Sequence, residues 1–431
     1  MRQIITALAL LAVALPVLAE TTAIVGGKVH TVGPQGTLEN ATILIENGRI
    51  QAVGAGISVP NGANTIDASG KIVTPGLFSP VGRLGLVEVG SSAGPVDAEQ
   101  RGEMFTAGFD VADAYNPRST LVAVNRIEGV TRAAITPSPA YPDDAGSYGH
   151  VLSGLAAVVN LGDDDVLDRR GAAMVVTLGE SGSAFADGTR TGAWLVLRNA
   201  LDEALDYRDH KGDFERGMRR DYMHSIADLE ALQSVLTGTT PMLVNINRAS
   251  DIEILIGLAA EYGVRPVIVN GAEAWMLASE IATARIPVIL GPAQNLPGNF
   301  DSLNARRGNA NILIEAGVTV AFADSLSLTH NARNMTQSAG NAVGDGLEWD
   351  AALRAITLSP AEIYGVSDDV GSLEPGKAAD VVIWPADPFE LSTYPDQVFI
   401  NGVAIPMKSR QTLLRDRYMQ TSSDLPPAYR D

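Results

Sequence analysis

The sequence contains no cysteine and few residues of several other reactive types. Its 431 residues include no Cys, five His and only 5% aromatic residues. Without cysteine the protein has no disulfide bonds, no thiolate zinc sites and no cysteine nucleophile. Lysine is scarce too, because Lys28, Lys71, Lys211, Lys377 and Lys408 are the whole set. Candidate catalytic or metal-binding side chains must therefore come from a few histidines and from carboxylates.

Basic charge is also in deficit. The chain has 31 Lys and Arg against 50 Asp and Glu, which gives a formal net charge of −19. Nucleic-acid binding needs a basic face, so this charge argues against that class of partner. With 46% hydrophobic and 19% charged residues, the composition is that of a folded protein rather than a disordered acidic one. The length allows two or three domains, or one large α/β barrel with an appended domain.

The first residues have the pattern of a targeting segment. Met1 and Arg2 precede an apolar run over residues 4–18, and Ala19 follows it. This pattern predicts a secretory signal peptide over residues 1–19. The run is shorter than the roughly 20 apolar residues that cross a bilayer. We therefore expect a periplasmic or secreted protein with no membrane span after cleavage of the signal peptide.

Both ends of the chain are predicted to be rich in β-strands. Asn47-Gly48 and Asn401-Gly402 each lie between two short apolar strands. An Asn-Gly pair in this context favours a type I′ hairpin, because both turn residues need a positive φ. The similarity of the two ends predicts one small β-sandwich domain composed of residues 20–71 and 366–411. Residues 412–431 are predicted to form a loose C-terminal tail.

The middle of the chain, residues 72–365, alternates strands with helices. Helices are predicted over 251–262, 273–284 and 310–316, and the charged stretch 197–234 predicts one or two surface helices inserted before the fifth strand. Eight apolar runs have the character of buried parallel strands: 72–78, 132–136, 155–161, 173–178, 242–247, 266–270, 287–290 and 319–323. Eight strands in this order predict a (β/α)8 TIM-like barrel.

Several motifs resemble the amidohydrolase superfamily, in its imidazolonepropionase-like branch. The resemblance covers about residues 22–405. The segments that carry it are IVTPGLF at 72–78, GVT at 129–131, NRASDI at 247–252, the stretch 351–362, and GSLEPGKAAD at 371–380. It implies a centre of one or two zinc or other divalent ions that activates water. In the family, strand one carries His-x-His, strands five and six carry one His each, an Asp ends strand eight, and a Lys or Glu often lies on strand four.

This chain departs from that pattern at almost every ligand position. Val81 and Arg83 occupy the His-x-His positions, Asn245 and Asn270 occupy the two other His positions, and Asp324 is the one ligand retained. Valine has no lone pair, arginine is permanently cationic, and carboxamides are weak neutral ligands. No Lys lies on the fourth strand. We therefore expect no metal cofactor at this site.

Two interpretations of these substitutions are open. A lone Asp324 carboxylate in a barrel mouth is unfavourable unless it is paired. In the first interpretation the Arg83 guanidinium pairs with Asp324 and replaces the lost metal charge, while Asn245 and Asn270 complete a polar network. In the second, polar residues have drifted into a cavity without function.

Two histidines fall where loops reach the mouth of a barrel. His150 precedes the third predicted strand and His330 follows the eighth, so either could form a remnant metal or acid–base site with Asp324. Ordinary loop histidines that make hydrogen bonds are the alternative. Nothing recommends the others for catalysis: His30, His210 and His224. The acidic runs 143–144 and 163–165 lack the spacing of a calcium loop, so we expect solvated turns there.

Two functions follow from this pattern. The first is an exported amidohydrolase homologue without catalysis, or with impaired catalysis, that binds a small amide ligand or acts as the partner of an active relative or of a second copy. The second is an active hydrolase of non-peptide C–N bonds in a cyclic or peptide-like amide. It would use Asp324 with His150 or His330.

Overall fold

Strands from both ends of the chain enclose a middle where strands alternate with helices. The computed structural model describes residues 21–419 apart from 91, 93, 103, 104, 141–148, 294, 295 and 324–328. The strands are β1 Thr22–His30, β2 Thr37–Glu46, β3 Arg49–Ala55, β4 Asn64–Asp67, β5 Ile72–Pro75, β6 Leu77–Gly82, β7 Glu99–Gln100, β8 Val130–Ile135, β9 Ser138–Pro139, β10 Leu152–Asn160, β11 Leu167–Thr177, β12 Met242–Ile246, β13 Pro266–Asn270, β14 Val288–Leu290, β15 Val320–Phe322, β16 Val381–Trp384, β17 Gln397–Ile400 and β18 Val403–Ala404.

The helices lie mainly between and after the barrel strands. They are α1 Thr120–Arg126, α2 Gly179–Ser183, α3 Arg190–Glu215, α4 Ile226–Leu236, α5 Ala249–Tyr262, α6 Ala278–Ala284, α7 Asn309–Glu315, α8 Met335–Gly344, α9 Trp349–Ala355, α10 Leu358–Ile363 and α11 Arg410–Met419. The predicted insert before the fifth strand is present as α3 and α4. No helix in the described ranges is both long and apolar enough to cross a membrane.

The two ends of the chain build one small β-domain. Its sheet has the order β18-β17-β16-β5-β1-β2-β3, and β4 pairs with β1. The turn residues Asn47 and Gly48 have φ values of 52° and 78°, and Asn401 and Gly402 have 49° and 75°. Both predicted type I′ hairpins are therefore confirmed. Residues from both ends share one core, among them Ile24, Ile43, Val73, Val381 and Phe399.

A second eight-stranded sheet forms the nearly closed barrel. Its order is β15-β14-β13-β12-β11-β10-β8-β6, and β15 lies beside β6. The barrel interior is filled by apolar side chains, and the buried Tyr364 stacks on Phe78 with a ring separation of 5.9 Å. The predicted fold class, a barrel with a small β-domain built from both termini, is confirmed.

The third barrel strand runs in the opposite direction to the prediction. We expected eight parallel strands, but β10 is antiparallel to both of its neighbours, β8 and β11. The short connection from Leu161 to Val166 joins β10 to β11 directly, which only antiparallel neighbours allow. The acidic run 163–165 lies in this turn, as expected, and the run 143–144 lies outside the described residues.

The predicted first barrel strand is in fact two strands in two sheets. Ile72–Pro75 pairs with β1 and β16 in the small domain, and Leu77–Gly82 pairs with β8 in the barrel. Gly76 joins them, and a Cβ atom at this position would lie 2.1 Å from Thr131 Oγ1. The chain passes between the domains at a point where only glycine fits.

Two further predictions need correction. The helix expected over 273–284 is a 3-10 turn, Ala274–Leu277, followed by α6. The segment predicted as a loose tail from residue 412 begins inside α11, a helix that contacts α1. Residues 420–431 lie outside the described part of the chain.

Candidate functional site

The carboxyl ends of the barrel strands surround a cavity of about 370 Å³. Val81 lies near the end of β6, Thr177 and Asn270 are the last residues of β11 and β13, and Asn245 lies near the end of β12. The parallel register sets Asn245 beside Thr177 on one side and Val269 on the other. Much of the remaining wall is apolar: Pro137, Pro139, Val175, Leu243 and Val269. The cavity thus places a few polar groups against an apolar surface, as in small-molecule sites.

The two asparagines are hydrogen-bonded to each other inside this cavity. Asn270 Nδ2 donates to Asn245 Oδ1 at 2.6 Å. Asn270 has a φ of 76° and Gly271 a φ of 57°, so two successive left-handed residues end β13. Asparagine tolerates this conformation better than most side chains. The result is a carboxamide pair whose relative orientation is fixed by adjacent strands.

Arg83 contributes a cation that is held by an acidic partner from a mouth loop. Its Nη1 lies 3.2 Å from Glu99 Oε1, and Arg101 lies 3.0 Å from the other Glu99 oxygen. The side chains of Arg83 and Glu99 are 21% and 17% exposed. Glu99 belongs to β7, which pairs with β9 over the cavity and so brings two mouth loops together. Sequence reasoning did not identify Glu99.

The two predicted histidines, His150 and His330, do not line this cavity in the described part of the chain. The His150 ring bonds to the carbonyl of Gly102 through Nε2 at 2.8 Å. His330 is exposed on the 3-10 turn Thr329–Asn334. Asp324 lies outside the described residues, so its pairing with Arg83 stays a prediction. Thr136 and Thr177 also line the cavity, and both could have been identified as residues at the ends of predicted strands.

The side chains at the positions predicted for metal ligands do not fit a divalent ion. An isopropyl group, a guanidinium and two carboxamides supply neither imidazole nor a carboxylate, and the guanidinium repels a cation. Among the residues with described positions, no group of three or more His, Asp or Glu could hold a metal ion. The Glu99 carboxylate that enters the cavity already faces two arginines.

A buried ionic cluster supports the loops around the mouth. Arg190 pairs with Asp251 at 3.1 Å and also with Asp301. Asp301 accepts the backbone N–H of Glu180 at 2.5 Å. Gly179, with a φ of 67°, permits this approach, because a Cβ there would lie 2.7 Å from Asp301 Oδ2. Burial raises the pKa of Asp251, against the opposing effect of Arg190. The cluster therefore connects the segments that follow β11, β12 and β14.

Comparison with known proteins relates this barrel to amidohydrolase folds. The amidohydrolase family model matches residues 201–405. An amidohydrolase from Thermotoga maritima has a TM-score of 0.79 and 24% sequence identity, covering 90% of this chain and 100% of that one. The family match supports the amidohydrolase superfamily, and the solved structure shows a shared fold.

Two relatives extend the comparison along the sequence. Amidohydrolase tasK from Hapsidospora irregularis is 24% identical over 390 residues, which are 84% of this chain but 39% of tasK. The chain therefore spans well under half of that relative. Imidazolonepropionase from Geobacillus kaustophilus is 27% identical over 408 residues, with 85% of this chain and 88% of that protein covered.

Proposed function

We propose that this protein is an exported amidohydrolase homologue that binds a small amide-bearing molecule in the mouth cavity without metal-dependent hydrolysis. One observation carries the proposal. Val81, Arg83, Asn245 and Asn270 line one cavity. The sequence resemblance assigns these four residues to the family's histidine positions, and their side chains do not suit zinc. Fold and family membership alone do not establish an activity, which depends on the residues of the site.

The asparagine pair defines the chemistry of the ligand, because it presents one amide donor beside one amide acceptor. Within the described residues, Asn245 Nδ2 and Asn270 Oδ1 make no hydrogen bond, although the other amide atoms of the pair bond to each other. A donor beside an acceptor complements an amide whose N–H and C=O point the same way, as in lactams and cyclic imides. The apolar wall would contact the ring. A small cyclic amide is therefore the ligand class that the cavity favours.

Metal content is the first test. The purified protein should contain no stoichiometric zinc and should not hydrolyse lactams, hydantoins or acyl dipeptides. A fourfold variant, Val81→His, Arg83→His, Asn245→His and Asn270→His, should gain zinc because imidazole replaces the unsuitable side chains. Stoichiometric zinc in the unaltered protein, together with turnover that Asp324→Asn abolishes, would instead establish the active hydrolase.

Ligand binding is the second test. A cyclic amide such as dihydrouracil should bind in calorimetry, and its N-methylated analogues should bind about tenfold more weakly because a donor is lost. Asn245→Ala and Asn270→Ala should weaken binding similarly, while Asn341→Ala, an exposed change on α8, should not. Equal binding by all three variants would remove the asparagine pair from the site.

Export and partnership belong to the same proposal. The N-terminal pattern favours secretion, and a binding protein of this type could act with an active relative or with a second copy. Fractionation of the native host and co-purification from its envelope test both points. Recovery of the full-length, uncleaved chain in the cytoplasm would contradict export.

A further inference from the structure

A second concave surface lies on the opposite face of the barrel from the mouth. A groove of about 650 Å³ lies between the segments that lead into β12, β13, β14 and β15 and the carboxyl ends of α5 and α6. Its floor includes three prolines at strand entrances and several aliphatic side chains: Pro241, Ile256, Val264, Pro266, Val267, Ile286, Pro287 and Ile363. Among the described residues that line it there is no aromatic side chain, so the groove favours aliphatic rather than ring-stacking contacts.

The groove carries positive charge in a strongly acidic chain. It is lined by Arg265, Arg285 and Arg354 against one acidic residue, Glu362. Arg354 pairs with Glu362 at 2.5 Å, and Arg265 donates to the carbonyl of Gly238 at 3.1 Å. Among the described residues, the Arg285 guanidinium has neither a hydrogen-bond nor an ion-pair partner. Two guanidinium groups therefore face this groove without a carboxylate partner, although the whole chain has a net charge of −19.

The backbone of Arg285 shows that this arginine is held in an unfavourable conformation. Three successive helices, α5, α6 and α7, each lead into the next strand through a left-handed residue. Gly263 has a φ of 67° and Gly317 a φ of 88°, but the equivalent position after α6 holds Arg285 with a φ of 55°. Glycine adopts this conformation without a steric penalty, whereas arginine does not. An arginine where both neighbouring repeats use glycine points to a role for its side chain.

We propose that this groove binds an aliphatic carboxylate of medium chain length, with its head group on Arg285 and Arg265 and its alkyl chain along the apolar floor. A guanidinium binds a carboxylate through two parallel hydrogen bonds, which makes it the preferred partner of that group. The groove volume lies within the range of small-molecule sites. Few side-chain hydroxyl or amide groups line it, which disfavours a sugar or a nucleoside.

Calorimetry with decanoate on the full-length chain tests this proposal. Decanoate should bind at least about tenfold more tightly than decanol, which has the same chain without the charge, and added salt should weaken the binding. Arg285→Gly should weaken it by about tenfold or more, because the guanidinium is lost. The melting temperature of this variant should be unchanged or higher, because glycine relieves the left-handed strain. Weaker decanoate binding without a lower melting temperature would show that Arg285 serves binding rather than folding stability.

Three further variants locate the site. Arg265→Ala should also weaken decanoate binding, while Arg417→Ala, an exposed change on α11, should leave it unchanged. Arg83→Ala reports on the mouth cavity and should have no effect, so this test is independent of the function proposed above. The proposal is overturned if decanoate does not bind, if decanol binds equally well, or if Arg83→Ala rather than Arg285→Gly removes binding.

Discussion

At the scale of single residues, His30 shows how a buried titratable group fastens the small domain to the barrel. Its Nδ1 lies 3.2 Å from Asp350 Oδ1 and 3.0 Å from Thr37 Oγ1, and its ring centroid is 4.3 Å from that of Trp349. Asp350 and Trp349 belong to α9, so a residue of β1 packs on a barrel helix. Burial lowers the pKa of His30 below its ordinary value of 6.5, although the Asp350 carboxylate opposes this effect.

The lowered pKa of His30 predicts a loss of stability in acid. The unfolded chain takes up a proton near pH 6.5 while the native chain does not, so the free energy of unfolding falls as the pH drops below that value. This loss of stability is complete once the pH lies below the pKa of His30 in the native state. His30→Gln, which keeps hydrogen-bonding capacity but does not titrate here, should lose less stability between about pH 7.5 and about pH 5. Urea unfolding at both pH values measures this, and parallel losses in the two proteins would contradict it.

The cavity residues show which part of a site the sequence can predict. Val81, Arg83, Asn245 and Asn270 follow from strand ends and family motifs, since parallel strands bring their carboxyl ends to one face. Glu99 does not follow from either. It enters the cavity because two loops of irregular sequence pair as β7 and β9, and such pairing leaves no periodic pattern in the chain.

At the scale of elements, the junction of β5 and β6 determines how the two domains join. Gly76 is the single residue between a small-domain strand and a barrel strand. Its backbone N–H bonds to the carbonyl of Asp380, and its Cα faces Thr131 so closely that a Cβ would also lie 2.4 Å from Thr131 Cγ2. Both neighbouring strands are buried and leave the backbone little room to move.

Substitution of this glycine should be costly. Gly76→Ala should lower the free energy of unfolding by about 1–3 kcal/mol, as overpacking of a buried site does. Gly257→Ala is a matched control, because Gly257 lies within α5 with open space around its Cα. That change should raise stability by about 0.5–1 kcal/mol. Chemical unfolding measures both, and equal effects would show that the junction can relax.

The direction of β10 shows the limit of pattern reasoning at this scale. An apolar run of suitable length predicts a buried strand but not its direction, because both faces of a barrel strand are covered in either orientation. The informative signal was the short polar turn after it, containing Gly162 and three aspartates. A connection this short cannot carry a parallel crossover.

At the scale of the whole molecule, Arg132 links the bottom of the barrel to the small domain. Arg132 lies on β8, and its Nε donates to Asp380 Oδ2 at 2.7 Å. It also pairs with Asp168 at the start of β11, while Asn401 in the second hairpin accepts from Nη2 at 2.5 Å. Asp380 ends the motif GSLEPGKAAD, so one of the segments that carry the family resemblance supplies an interdomain ion pair. Burial raises the pKa of Asp168, with Arg132 acting against this.

Removal of Arg132 should therefore destabilise the molecule more than removal of an exposed arginine. Arg132→Met leaves the Asp168 and Asp380 carboxylates without their cation and should cost about 3–5 kcal/mol. Arg170→Met breaks ion pairs with Asp110 and Asp113, but the Arg170 side chain is 48% exposed. This change should cost at most about 1 kcal/mol.

If the unpaired carboxylates cause the destabilisation of Arg132→Met, neutralising those carboxylates should restore stability. The triple variant Arg132→Met, Asp168→Asn and Asp380→Asn should be more stable than Arg132→Met alone, although two further native residues have been lost. The deficit of Arg132→Met relative to the unaltered protein should also shrink as the pH falls, because protonation neutralises Asp168, whose pKa burial raises and Arg132 no longer lowers. Urea unfolding at neutral and acidic pH tests both outcomes. A triple variant less stable than the single one would mean that packing and hydrogen bonding by Arg132, rather than charge compensation, join the two domains.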